Sequence, residues 1–261
     1  MLSNYSQEIN RIPKMIVKLL NSLFRPIGFK IVKEDYQEKY PEFLDIYEDC
    51  KPFTMTSVDR MYALYKAVEY IIKNEIEGDF IECGVWKGGS SMLIAKTLLK
   101  FGVSNRRIWM YDTYEGMSEP TDKDKDPAGT SAEELLKKAS KQDAASIWCY
   151  SDIDEVKSHL QSTGYPIELI HFVKGKVEDS IPGVMPENPI ALLRLDTDWY
   201  ESTKHEMDHL YPHLVQKGIL IIDDYGDWQG ARKAIDEYLS EHKIAMLLNR
   251  IDHTGRIAVK A

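Results

Sequence analysis

Cysteine is scarce in this chain. The three residues Cys50, Cys83 and Cys149 are odd in number and irregularly spaced, which excludes a disulfide framework and a zinc-finger pattern. Reduced thiols in a cytoplasmic protein are the expectation, with Cys83 a small core residue inside an apolar run. No uninterrupted apolar stretch is long enough to span a bilayer, and the N-terminal residues lack the apolar run and small-residue cleavage site of a signal peptide. A basic surplus is missing too. The net charge of −9 argues against a general nucleic-acid binder. Internal repeats and low-complexity segments are absent.

One stretch lacks acid altogether. Residues 11–33 carry six basic residues and no Asp or Glu, whereas acids dominate from Glu34 onward. Ile16, Leu19, Leu20 and Phe24 recur at helical spacing, and Pro26 with Gly28 ends the helix. A basic amphipathic helix can lie on a membrane. The favoured expectation is a helix that packs on its own acidic domain, or forms a lid or a contact in a homo-oligomer, because one helix binds a membrane weakly without a second anchor.

What is present is enough for one large α/β domain with an appendage: 261 residues, 43% hydrophobic. Residues 41–75 read as mostly helical, with Ser57 or Asp59 capping a helix through Met61, Leu64, Val68 and Ile72. Strands and helices then alternate. Strands are expected at 79–84, 107–112, 167–173, 190–196 and 218–223. Helices are expected at 90–101, 152–161, 201–215 and 230–242. Residues 113–150 read as a charged insertion with a helix near 131–141. Residues 244–248 and 256–260 read as a terminal strand pair. The alternation predicts βαβ units, a mainly parallel sheet and ligands at the carboxyl ends of its strands. The expected division is an N-terminal helical extension over residues 1–60 and a catalytic domain over 61–261.

Four polar motifs fall at those strand ends. The first is Glu82-Cys-Gly84-Val-Trp-Lys-Gly88-Gly89-Ser90-Ser91, between a strand and a helix. It is neither the dinucleotide fingerprint G-x-G-x-x-G nor a phosphate loop ending in G-K-[ST]. Its E-x-G-x-x-x-G form suits the amino-acid end of S-adenosylmethionine; the alternative is a tight turn with no ligand. The second is Tyr111-Asp112-Thr-Tyr-Glu115-Gly116. An acid here, about 20 residues or more past the glycines, can accept from both ribose hydroxyls; Asp112 fills that place and Glu115 competes for it.

The third and fourth motifs are Leu195-Asp196-Thr-Asp198 and Ile222-Asp223-Asp224-Tyr225. Carboxylates converging on one rim repel unless they are protonated or bridged by a cation. Hard oxygen ligands suit Mg²⁺, Mn²⁺ or Ca²⁺ rather than zinc. Such an ion could lower the pKa of a substrate hydroxyl and aim its oxygen at a methyl group. The alternative is a set of acidic loop ends in an acidic protein. His205-Glu-Met-Asp-His209 matches the zinc-hydrolase pattern H-E-x-x-H, but Pro212 and Val215 occupy the places of the glycine and third histidine of its extended form. An exposed polar helix face is the expected account.

In combination, FIECGVWKGGSS, YDTYEGM and LDTDWYESTKHEMDHLYPHLVQKGILIIDDYGDWQGARKAIDEY resemble the macrocin O-methyltransferase family, from about Thr54 to the end of the last long helix. That family includes sugar O-methyltransferases of macrolide and aminocoumarin pathways. The resemblance implies a Rossmann-like class I methyltransferase with helices on both sheet faces, an N-terminal helical lid, S-adenosylmethionine and a divalent metal, usually Mg²⁺. It implies that Asp196, Asp223 and Asp224 hold the metal and that Asp196 or Asp198 takes the hydroxyl proton. By the same resemblance Glu82, Gly84, Gly88, Ser90 and Asp112 line the donor site, and Met55-Thr56-Ser57 closes over it. Gln229 and Arg232 would shape the acceptor site. The acceptor expected is a sugar or glycoside, from a natural product or a surface glycan; a catechol or phenol is the runner-up. The C-terminus departs from the family, with Arg256 after Gly255 where relatives usually place an aromatic residue.

Overall fold

The computed structural model describes residues 14–24, 26, 40–141, 143 and 146–261. The chain divides into two compact units, residues 1–48 and 49–261. The division falls earlier than the expected boundary after residue 60. Residues 49–60 belong to the larger unit because residues 53–56 and Arg60 line its main cavity.

In the smaller unit, α1 (Lys14–Phe24) is the expected amphipathic helix, with Leu19 and Leu23 about two-thirds exposed. The rest of the basic stretch, residues 11–13, 25 and 27–33, lies outside the described residues, and with it most of the lid and membrane readings. No described helix is long and apolar enough to cross a membrane. Helix α2 (Pro41–Cys50) ends this unit and enters the next.

The larger unit is built on one sheet. Its strands are β1 (Asp79–Cys83), β2 (Ile108–Asp112), β3 (Ile170–Lys174), β4 (Ile190–Leu195), β5 (Leu214–Ile222), β6 (Asn249–Arg250) and β7 (Arg256–Val259). Their order is β3-β2-β1-β4-β5-β7-β6. The first five are parallel; β7 pairs antiparallel with β5 and β6 with β7. Every residue of β1 and β4 is buried, as expected of parallel strands covered on both faces, although Asp79, Glu82 and Arg194 interrupt their apolar runs.

Helix α3 (Val58–Lys73) starts at Ser57, whose hydroxyl accepts from the Arg60 amide. It packs on β4, β5 and α4 (Gly89–Lys100) through Met61, Leu64, Val68 and Ile71. The buried stripe thus ends on Ile71 rather than Ile72. The remaining helices are α5 (Ala132–Lys138), α6 (Ile153–Ser162), the short α7 (Val177–Ser180), α8 (Tyr200–His209) and α9 (Gln229–Glu241).

Several element boundaries differ from expectation. Strand β3 begins at Ile170, after a 3₁₀ turn over Ile167–Leu169, and β5 begins at Leu214 rather than at 218. Helix α8 stops at His209 instead of reaching Val215. Pro212 has no N–H to continue the ladder, so a short 3₁₀ turn (Tyr211–His213) leads directly into β5. The Lys260 ammonium fixes that turn by donating to the carbonyls of Tyr211 (3.0 Å) and Leu214 (2.6 Å). Residues 244–248 do not form a strand; the partner of β7 is Asn249–Arg250. Ile244, Met246 and Leu248 still alternate inward onto the core, so the period of two holds but is satisfied by packing, without a ladder.

The insertion is pinned by a buried acid. Asp124 accepts from the amides of Thr121 and Tyr200, both at 2.7 Å, which ties the insertion to the first turn of α8. Trp199 packs with Ala132 and Leu136, and meets Trp228 edge-on at 4.9 Å between centroids.

Candidate functional site

The strand order reverses direction between β1 and β4, and the main cavity opens at the carboxyl ends of these strands. It measures about 300 Å³. The backbones meet tightly there. The Asp196 amide donates to the Cys83 carbonyl (2.8 Å), and a Cβ on Gly84, whose φ is +82°, would overlap the Asp196 carbonyl oxygen. Only glycine fits, so the E-x-G turn and the L-D-x-D turn are two halves of one junction.

One end of the cavity is walled by Gly84, Val85, Trp86, Ser90, Asp112 and Thr113. Asp112 holds this wall in place. Its Oδ2 accepts from the amides of Val85 (2.6 Å) and Trp86 (3.1 Å), and its Oδ1 from Tyr114 (2.7 Å). Burial raises its pKa, while these amide bonds act in the opposite direction. Glu115 is placed elsewhere: it is exposed, paired with Lys174 at 2.9 Å, and outside the lining. Its bond to Lys174 lowers its pKa.

Three residues expected at the donor site have other tasks. Glu82 is buried beneath the cavity, accepting from Arg194 (2.8 Å) and from the Ser91 hydroxyl. A Cβ on Gly88 would press on Leu160 and Val156, so this glycine serves the packing of α6. Ser57 caps α3 and donates to Asp252 Oδ2 at 2.6 Å. None of the three lines the cavity, whereas Thr56, Gly84, Ser90 and Asp112 do.

The other end is acidic. Asp196, Asp198, Asp223 and Asp224 all line it, but their environments differ. Asp196, Asp198 and Asp224 each offer an oxygen, and these lie within 4.8 Å of one another; among the described residues this is the group that could hold a metal ion. Asp223, expected in that set, is claimed by guanidinium groups on both oxygens: Oδ1 by Arg194 (2.6 Å) and Oδ2 by Arg60. Asp198 takes its place. Strand β4 ends at Leu195, so strand alternation does not reach Asp198; its backbone is left-handed, φ +67°, and its carboxylate comes within 4.8 Å of Asp196 and Asp224.

The acids are under electrostatic stress. Burial, then the charges of Asp196 and Asp223, pushes Asp198 up to about 7. Burial also raises Asp196 and Asp224 well above the carboxylate range, each against its acidic neighbours. Asp224 Oδ2 is buried without a hydrogen-bond donor. Four carboxyls (Glu82, Asp196, Asp223, Asp252) pair with the two guanidinium groups, Arg60 and Arg194, and Asp198 and Asp224 converge on Asp196 beside them. An all-oxygen donor set with surplus negative charge and a partnerless buried oxygen fits a hard divalent cation.

Several residues of the site carry no motif. Arg60, Arg194, Asp252 and Cys149 do not stand out in the sequence. Arg194 had a signal, a charged residue inside the apolar strand ALLRL. Cys149 lines the cavity from the insertion in a left-handed conformation, φ 46°. Gln229 and Arg232 line a second cleft with Tyr225 and Trp228, which shares Asp227 with the main cavity. Arg256, the departure from the family pattern, places its guanidinium 5.0 Å from the Tyr225 ring centroid.

The histidine pair lies outside the cavity. His205 Nε2 hydrogen-bonds the Ile181 carbonyl (2.9 Å), and the Glu206 between the pair turns into the core. No third ligand joins them among the described residues.

Comparison with known proteins supplies independent findings. The family model Macrocin-O-methyltransferase (TylF) matches residues 30–259. The 8-demethyl-8-(2,3-dimethoxy-alpha-L-rhamnosyl)-tetracenomycin-C 4'-O-methyltransferase of Streptomyces olivaceus is 30% identical over 202 residues, 77% of this chain and 73% of that one. The demethyldecarbamoylnovobiocin O-methyltransferase of Streptomyces niveus is 31% identical over 202 residues, with 77% and 73% coverage. Among solved structures, the O-methyltransferase NovP superposes with a TM-score of 0.68 at 28% identity, covering 80% of this chain and 82% of that one.

Proposed function

The chain belongs to the macrocin O-methyltransferase family and is an S-adenosylmethionine-dependent O-methyltransferase, and from that premise we propose that it methylates a sugar hydroxyl of a small-molecule glycoside with the help of a divalent metal ion. The observation that carries this reading is a single cavity with a glycine-loop wall at one end and converging carboxylates at the other. The sugar acceptor is supported by the relatives, whose names describe methylation in rhamnosyl-tetracenomycin and novobiocin biosynthesis.

The donor occupies the wall of Gly84–Trp86, Ser90 and Asp112, under the segment of residues 53–56. Three amides occupy most of the acceptor capacity of Asp112, which leaves room for a donor hydroxyl on the same carboxylate. Residues 53–56 exclude water from the reacting atoms.

Transfer of a methyl group from sulfur to a hydroxyl oxygen releases the hydroxyl proton, and some group must accept it. An aliphatic hydroxyl is far too weak an acid for an ordinary carboxylate to serve well. Asp196, Asp198 and Asp224 would hold a Mg²⁺-like ion, whose Lewis acidity would lower the pKa of the acceptor hydroxyl. Asp196 or Asp198 accepts the proton; Asp196 also accepts from Arg194 at 2.6 Å. Trp199, Trp228 and the insertion wall support the acceptor side.

The test is a screen of nucleotide-sugars and glycosides for transfer of a labelled methyl group, with and without chelator. Chelation is expected to abolish transfer and leave S-adenosylhomocysteine binding intact. Full turnover in chelator would remove the metal role. Transfer to catechols in preference to every sugar would remove the sugar acceptor.

A further inference from the structure

The guanidinium of Arg194 lies under the cavity floor, its side chain 1% exposed. Four acceptors from separate parts of the chain surround it. Its Nη1 donates to Glu82 Oε1 at 2.8 Å and to Asp196 Oδ2 at 2.6 Å. Its Nη2 donates to Asp223 Oδ1 at 2.6 Å and to Thr56 Oγ1 at 3.1 Å. Three of these acceptors stand at the ends of β1, β4 and β5. Thr56 belongs to the segment before α3, and with Phe53, Thr54 and Met55 it walls the donor end of the cavity.

We propose that Arg194 is a positioning residue that couples occupancy of the donor cavity, through Thr56, to the geometry of the acids that take the metal. The proposal rests on the metal reading given above. A guanidinium is a flat, rigid fork with its N–H vectors at fixed angles. A shift that follows Thr56 turns the whole fork and so moves its bonds to Asp196 and Asp223. Glu82, Arg194 and Asp223 are buried with no water to make good a lost bond, so they move together, and Asp196, 26% exposed on the cavity side, follows through its bond to Nη1. The same segment is tied in a second time. Ser57 donates to Asp252 Oδ2, Arg60 Nε lies 3.1 Å from that oxygen, and Arg60 also holds Asp223. A ligand pressing on residues 53–56 therefore acts on the acid cluster from both of its guanidinium groups. Thermodynamic linkage makes the effect reciprocal, so metal tightens the donor by the same factor as donor tightens the metal.

The experiment is a calorimetric titration of Mn²⁺ into the full chain, with and without saturating S-adenosylhomocysteine; it reads binding rather than turnover. In the wild-type protein, the ligand is expected to tighten Mn²⁺ binding by about fivefold or more, the lower end of usual couplings. Thr56→Val keeps the shape and removes the acceptor; its coupling should fall to about twofold or less while S-adenosylhomocysteine still binds, and Thr56→Ser should restore it. Arg194→Lys keeps the charge without the fork and should lose the coupling together with about tenfold in Mn²⁺ affinity. Because that variant disturbs a buried charge cluster, the Thr56 pair decides the matter if it does not fold. Wild-type coupling in Thr56→Val overturns the proposal, as does a wild-type protein that binds both ligands independently. A wild-type protein that binds S-adenosylhomocysteine but no Mn²⁺ overturns the metal reading itself, a result distinct from loss of coupling.

Discussion

Asp223 and Asp224 are adjacent in sequence and opposite in environment: Asp223 is gripped by guanidinium groups on both oxygens, while Asp224 keeps a buried Oδ2 with no donor. On the metal reading proposed above, the pair divides into a structural acid and a ligand acid. Asp223→Asn leaves Arg194 and Arg60 short of a charge and should destabilise the metal-free protein by about 3–5 kcal/mol, the usual effect of breaking a buried ion pair. Asp224→Asn removes a buried acid with an unpartnered oxygen and should leave stability unchanged or raised, while Mn²⁺ affinity falls by about tenfold or more. Denaturant unfolding together with Mn²⁺ titration separates the two. Equal effects of both substitutions on both readouts would refute the division.

Asp112 should govern donor affinity by two routes, a direct contact with the donor and the amide bonds that hold Val85 and Trp86. Asp112→Ala is expected to weaken S-adenosylhomocysteine binding by about tenfold or more, about 1.4 kcal/mol. Glu115→Ala should have no effect, because Glu115 is exposed and outside the cavity. Calorimetry on both variants checks the assignment, and the reverse pattern would transfer the role to Glu115.

These assignments show where sequence suffices. The strand-end motifs were legible because the mostly apolar strands stop where the polar residues begin, so Gly84, Asp112, Asp196 and Asp224 fall at the carboxyl rim. The α/β class and most element positions come from the same patterns. Which acid faces which partner was not legible. Ser57 and Asp252 are 195 residues apart, and only the fold brings that hydroxyl to that carboxylate. Glu82 resembles a donor-site residue because it precedes Gly84; its neighbour across the sheet, Arg194, claims it instead. The exchange of Asp223 for Asp198 has the same origin, since local spacing cannot see two guanidinium groups arriving from β4 and α3.

Metal affinity should depend on pH near neutrality. Asp198 is raised to about 7, chiefly by burial and then by Asp196 and Asp223. Below that value the carboxyl is protonated, and a divalent ion must displace the proton to bind. Apparent Mn²⁺ affinity should therefore rise from pH 6 to pH 8. In Asp198→Asn the rise should flatten and the affinity fall. A wild-type affinity constant over this range would contradict the placement of Asp198 in the ion's donor set.

The last prediction concerns Glu206, a fully buried acid outside the proposed chemistry. Its Oε2 accepts from the Thr197 hydroxyl at 3.2 Å, and its Oε1 is buried with no partner. Burial first, and then the charges of Glu178 and Asp196, raises its pKa well above the ordinary glutamate value of 4.5. The folded protein thus holds a proton on Glu206 that the unfolded chain releases. The stability linked to that proton is fully present below the unfolded pKa and is lost as pH rises through the folded one. Glu206→Gln keeps an oxygen for Thr197 and cannot ionise. It should match the wild-type protein near pH 4–5 and exceed it increasingly as pH rises through neutrality, by at least about 2–4 °C in Tm, which is about 1 kcal/mol for a domain of this size. Thermal unfolding of both proteins across that range gives the answer. Parallel curves at every pH would mean that Glu206 ionises without penalty and has a partner in solution that the fold does not supply.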